Sequence, residues 1–263
     1  APTDRACADV GSTIVIDTPA SVDWVTLSGS VSIPSGSWLT TANTANDSSI
    51  ATLDLQGTIT GTNSVRIEGA TITNGTFAGS ATIGLTGNPP STISGLTVAG
   101  SKFVLTGDAV WNGNLTLCDD AAFAVAETVD AVGDHTVDSS GCGAVGTPRF
   151  GLSSTGTVNV SAGTLDVDAV NLWNEGTINI GVAGQLRAGV FENTKGSFNL
   201  TTSDAQLFIN DGFGTMDLGI GTLTGAGTVH GDVVGTGTVK PGFNDTGVLT
   251  IDGSFYPSGG TLA

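Results

Sequence analysis

At 263 residues the chain has room for one long domain or two small ones, and a repeat architecture is not held to the usual domain size. With 39% hydrophobic and only 12% charged residues it is no disordered polyelectrolyte, and 40 Gly against 8 Pro rules out a collagen. Acids outnumber bases 24 to 7, for a net charge of −17, which makes nucleic acid and anionic membrane poor partners, and no apolar stretch reaches the ~20 residues of a membrane span.

The opening Ala1-Pro2-Thr3-Asp4 is small and polar and reads as the start of a mature secreted chain. Residues 1–25 hold one strong strand, Thr13-Ile14-Val15-Ile16, followed by Asp17-Thr18-Pro19, and are expected to form an N-terminal cap over a solenoid's open end. Residues 26–118 alternate apolar and small polar positions in short runs, with glycines at uneven spacing to turn the corners. They are expected to form irregular β-helix coils. The polar run 40–49 is expected to protrude as a loop.

Residues 119–147 break the pattern. Ala121-Ala122-Phe123-Ala124-Val125-Ala126 is alanine-rich, and Asp119, Asp120, Glu127, Asp130, Asp134 and Asp138 cluster around it. The segment is expected to be an acidic insertion loop, its ends stapled by a disulfide between Cys118 and Cys142, which suits an oxidising compartment. The three cysteines match no zinc spacing, and Cys7 is left over.

Residues 148–263 are expected to form regular coils. Gly156-Thr157-Val158-Asn159-Val160 is echoed by Gly176-Thr177-Ile178-Asn179-Ile180 and then, after an equal interval, by Gly196-Ser197-Phe198-Asn199-Leu200. Leu165, Leu186 and Leu207 form a second evenly spaced series between them. Period-2 alternation within a constant repeat of this kind is the signature of a solenoid: one unit cannot bury its apolar face alone, and stacking makes a continuous column. The fold expected is therefore all-β, a single-stranded parallel β-helix (β-solenoid), with Val158, Ile178 and Phe198 in one file.

The closing sequence contains Gly225-Ala226-Gly227-Thr228-Val229, Gly235-Thr236-Gly237-Thr238-Val239, Pro241-Gly242, Gly247-Val248-Leu249-Thr250-Ile251-Asp252-Gly253 and Gly259-Gly260-Thr261-Leu262. It resembles the last coils of bacterial secreted β-helix proteins of the autotransporter-passenger and surface-repeat kind, over residues 221–262 and more loosely over 151–220. Phe243-Asn244-Asp245 departs from the small residues such turns carry, and no anchoring barrel follows. The resemblance implies a right-handed helix, an extracellular or bacterial cell-surface location, and a structural or adhesive role without catalysis. Its partners would be a host surface or an extracellular glycan or protein. The chain stops at Ala263 in mid-strand by this pattern, so truncation of a longer protein is expected.

Secreted β-helices also include polysaccharide lyases and hydrolases, and a carbohydrate-binding or polysaccharide-degrading β-helix is the alternative. Its catalytic candidates are Asp166 and Asp168, two positions apart on one strand and so roughly 6.5–7 Å apart, near the spacing of an inverting glycosidase. The repeat stacks Asp166 beside Arg187 and then Phe208, which favours an ionised carboxylate over a general acid. Trp24, Trp38, Trp111 and Trp173 are the candidate ligand platforms, with Tyr256 beside them. Asp119, Asp120, Asp130 and Asp134 are the candidate ligands of a structural calcium, although neither an EF-hand loop nor a calcium-binding nonapeptide is present. No other cofactor is implied. His135 between Asp134 and Asp138, with Ser139 and Ser140 near, has the residue types of a triad but no nucleophile elbow. Asn174 and Asn193 are candidates for stacked amide ladders at coil corners. Thr58-Ile59-Thr60 and Thr71-Ile72-Thr73 raise a further alternative, an ice-binding solenoid. A flat lattice would need such pairs at one fixed coil interval, and these two do not continue.

Overall fold

The computed structural model describes residues 5–8, 11–42, 47–87, 90–142, 146–193, 195–242 and 247–263. The chain is all-β and folds as a parallel β-solenoid of about 12 turns. It divides into two compact units, residues 1–124 with 141–148 and residues 125–140 with 149–263. Parallel neighbours need a long crossover, and here each coil of the chain is that crossover.

In the first unit the inward side chains stack in unbroken files. Leu39, Ile59, Phe77, Val98 and Leu117 are successive partners. Leu27, Ile50, Ile67, Leu85 and Leu105 form a second file, and every member of both is buried. Sequence intervals along the first file are unequal, shorter from Ile59 to Phe77 than from Phe77 to Val98. Apart from a register shift between Leu27 and Ser30, these strands pair without a break and the corners differ in length; that is why the spacing looks irregular in sequence. Phe77, Phe103 and Phe123 stack through the interior with centroids 5.4 and 5.1 Å apart.

In the segment expected as the N-terminal cap, Arg5–Ala8 and Thr13–Val15 both pair in parallel with Trp24–Ile33, and Ala20–Val22 pairs with Trp38–Thr41. The alternation that places Ile14 opposite Val31 makes this segment the terminal rung. One expected boundary is corrected: residues 119–147 are not an insertion loop. Ala122–Val125, Thr128–Val132 and His135–Asp138 are strands, with Phe123, Val129, Ala131 and Val137 buried and the acids turned toward solvent. Alternating alanines are a weak apolar signal, so the rung reads as a break. What stays irregular is 139–148, of which 143–145 lie outside the described residues. The polar run 40–49 is also shorter as a loop than expected. Strand extends to Thr41 and resumes at Ser48, whose buried hydroxyl accepts from Val25 N at 3.1 Å and from Asn63 Nδ2 at 3.0 Å.

Cys118 and Cys142 form the expected disulfide, in the first unit. Beside it, Asp120 Oδ1 accepts from Thr147 N at 3.1 Å. The bridge joins positions 24 residues apart, and for a loop of that length unfolded-chain entropy gives about 3 kcal/mol of stabilisation. Denaturant unfolding with and without a reducing agent should show the oxidised protein more stable by that amount.

In the second unit Val129, Val158, Ile178, Phe198, Leu223 and Val239 are consecutive partners, each buried. The expected single file of Val158, Ile178 and Phe198 is present. Leu165, Leu186, Leu207 and Val229 form a second file, and Met216, Val233 and Phe255 lie on a third, short sheet. Coil corners are tight. Ala162 and Ala183 hold positive φ of 57° and 52°, and a Cβ on Gly176 would lie 2.2 Å from Gly156 O.

Candidate functional site

Because side chains alternate across a strand, in-register stacking that buries Val158 and Ile178 must also line up their neighbours on the outer face. One outward row of the second unit is Thr128, Thr157, Thr177, Ser197, Thr222, Thr238 and Thr261. The row beside it is Asp130, Asn159, Asn179, Asn199, Thr224 and Lys240. Rungs in such a sheet are about 4.8 Å apart, and the two rows are separated by one strand repeat, roughly 6.6 Å. Within these rows the charges stand only at the ends, Asp130 and Lys240.

The second row is locked by its own hydrogen bonds. Asn199 Nδ2 donates to Asn179 Oδ1 at 2.9 Å, Asn179 Nδ2 to Asn159 Oδ1 at 2.8 Å, and Asn159 Nδ2 to Asp130 Oδ1 at 2.8 Å. Every carboxamide donates toward the preceding coil, so the series must finish on an acceptor. Asp130 Oδ1 supplies it. This ladder lies in mid-strand, not at the corners. Asn174, expected in a ladder, is instead a fully buried corner cap: its Oδ1 accepts from Gly176 N at 2.9 Å and its Nδ2 donates to Ser197 O at 3.4 Å. The side chain of Asn193 lies outside the described residues.

A second outer face of this unit carries the row Asp166, Arg187, Phe208, His230 and Asp252. Asp166 does lie beside Arg187 in register, as the repeat predicts. The Arg187 guanidinium reaches Asp211 at 2.9 Å and sits 4.7 Å over the Phe208 ring. The Phe208 ring also stacks on His230 with centroids 4.3 Å apart, and His230 Nδ1 is 3.4 Å from Asp252 Oδ2. With Arg187 on the coil before and His230 on the coil after, the Phe208 ring is occupied by its own neighbours. The Arg187–Asp211 pair is solvent-accessible at both partners and is worth at most about 1 kcal/mol. Asp168 falls in the register break between Val167 and Asn171, and its side chain lies outside the described residues.

The remaining candidates separate. Trp111 is 2% exposed and packs 6.1 Å from Phe123, so it is core and no ligand platform. Trp24 and Trp173 are half-buried, the latter against Gly151, and Trp38 is exposed. Asp119 is an exposed left-handed corner residue, with φ of 58°. Asp120 and Asp134 cap backbone N–H groups, of Thr147 and of Thr164 (2.9 Å), and Asp130 ends the amide ladder. Among the described residues no three His, Cys, Asp or Glu side chains are grouped to hold a metal. Asp204, at another corner, is held below the usual carboxylate range by the Thr202 hydroxyl and then by Ala183 N–H.

No triad assembles around His135. Its ring is buried, with Nε2 2.9 Å from Val132 O, while Ser140 Oγ donates to Asp138 at 2.7 Å on the solvent side. The strand alternation puts the imidazole and the acid–hydroxyl pair on opposite faces.

The threonine pairs sort onto different rows. Thr58 belongs to an outward row of the first unit, with Thr76, Thr97 and Thr116 on successive coils, and Thr60 is followed by Ala78 and Ala99. Thr71 lies on another row, between Asp54 and Thr92. The pairs do not continue, as expected: Thr60 is followed by alanines and Thr92 by Val110. The single row from Thr58 does continue to Thr116, and it is hidden in sequence because the intervals from Thr58 to Thr76, Thr76 to Thr97 and Thr97 to Thr116 all differ.

Comparison of the chain with protein-family models, with curated proteins and with solved structures finds no match.

Proposed function

We propose that this chain is a structural and adhesive segment of an extracellular β-solenoid, holding an extended, neutral, hydroxyl-bearing surface along one side of its second unit and performing no catalysis. The observation that carries this reading is the pair of in-register outward rows running from Thr128 and Asp130 to Thr238 and Lys240, uncharged between their ends in a chain of net charge −17. A face of that kind matches a repeating partner, because each rung offers the same groups at the same spacing. The disulfide supports an oxidising compartment, and the autotransporter-passenger resemblance of residues 221–262 supports display at a cell surface. The acids elsewhere favour solubility of a sheet-rich chain and resist edge-to-edge association.

Retention on a panel of neutral insoluble matrices, crystalline polysaccharides and ice among them, tests this reading. The wild-type chain should be retained on at least one matrix, and the double variant Thr177→Lys/Thr222→Lys should be released from it. Retention on none, or release of reducing sugar from any polysaccharide that Asp166→Asn abolishes, would refute it.

A further inference from the structure

We infer that the threonine–asparagine face of the second unit binds ice. The inference rests on the adhesive reading above and names the surface that face holds. Three observations select ordered water over a glycan or a protein. First, the groups form a two-dimensional lattice: rungs about 4.8 Å apart and rows roughly 6.6 Å apart, repeats near those of hexagonal ice. Pairing across these rungs proceeds without a register shift, in contrast to the break between Val167 and Asn171 on the neighbouring strand. The two rows are therefore continuous from rung to rung where they face solvent.

Second, the groups are pre-organised. Threonine is β-branched and stiff at χ1, so each rung that carries one offers a hydroxyl and a methyl in a restricted pose. The asparagines are held by their own ladder, with successive bonds of 2.8, 2.8 and 2.9 Å. Little side-chain freedom is then lost when a rigid lattice is met, and that loss is a principal cost of binding. Third, the face lacks what other ligands need. Both rows are without an aromatic ring for sugar stacking, and charge is confined to Asp130 and Lys240. Charged groups organise their own hydration shells and would interrupt an ice-like layer. Methyls between hydroxyls leave the first water layer free to adopt the lattice.

Thermal hysteresis of the whole chain, measured by nanolitre osmometry together with its partition into a growing ice shell, is the test. The wild-type protein should show both. Thr177→Lys/Thr222→Lys should fall to the level of a non-binding protein, with circular dichroism and melting temperature preserved. Gln185→Lys/Thr228→Lys, which places the same charges on a different outward row of the same unit, should retain the activity. Absence of hysteresis and ice partition in the wild type overturns the inference, as does hysteresis that survives the Thr177→Lys/Thr222→Lys change. No ice activity alongside retention on a polysaccharide sinks the ice assignment and leaves the adhesive reading standing. Failure on every matrix sinks both.

Discussion

Replacing Phe198 with alanine should lower the unfolding free energy of the second unit by about 4 kcal/mol, the middle of the range for buried aromatic truncation. Phe198 is fully buried between Ile178 on one side and Leu223 on the other, and meets Phe191 edge-on with centroids 5.3 Å apart. A globular core can relax into a new space from several directions. Here the neighbours above and below are held by ladder hydrogen bonds of their own rungs, so the hole should stay largely open and the cavity cost should add to the lost transfer energy. Phe213→Ala is the matched control: that ring is 92% exposed, and its removal should change stability by no more than about 0.5 kcal/mol. Urea unfolding of both variants, fitted with a common slope, checks the pair. Equal small effects would mean that the file of Val158, Ile178 and Phe198 is not the core.

The second large effect is at a corner. Gly176→Ala should cost about 3 kcal/mol, at the upper end of overpacking penalties. The added Cβ would lie 2.2 Å from Gly156 O and 2.5 Å from Ser153 O, both backbone atoms with no rotamer to yield. Relief would require one coil to lift from the next, at the point where Thr177 N donates to Gly156 O at 2.9 Å. Gly181→Ala in the same coil meets nothing nearer than 3.7 Å and should be within about 0.5 kcal/mol of wild type. A melting temperature for Gly176→Ala that matches that of Gly181→Ala would contradict the packing described at this corner.

Much of the fold was legible because the second unit repeats the same residue types. Gly-Thr-Val-Asn-Val, Gly-Thr-Ile-Asn-Ile and Gly-Ser-Phe-Asn-Leu at one constant interval declare period, strand and inward face together. The disulfide was legible because Cys118 and Cys142 bracket the segment where the alternation weakens. Two features were not. The rung at residues 122–138 hides because Ala122, Ala124 and Ala131 give little apolar contrast and its acids resemble a solvated loop. The first-unit coils hide because corners of unequal length, and a register shift between Leu27 and Ser30, change the interval from coil to coil. The candidate face was legible only in fragments. A single outward threonine in each coil carries no local signal, and the row becomes visible when register joins Thr177 to Ser197 and then to Thr222 across two unequal intervals. The Asp166–Arg187 adjacency was read correctly from the repeat, whereas Asp211, which pairs with that arginine, comes from a corner outside it.

The amide ladder has a consequence for how such a chain changes length over generations. Asn179 takes one partner from the coil before it and one from the coil after, and any asparagine inserted at an equivalent position would take the same two. Duplicating or deleting a whole turn between Asn159 and Asn199 would therefore strand no amide of the ladder, since Asp130 alone closes the series. Unequal recombination between near-identical coils can thus lengthen or shorten the second unit without breaking the ladder. The extent of the lattice offered to solvent becomes a quantity that selection adjusts one turn at a time.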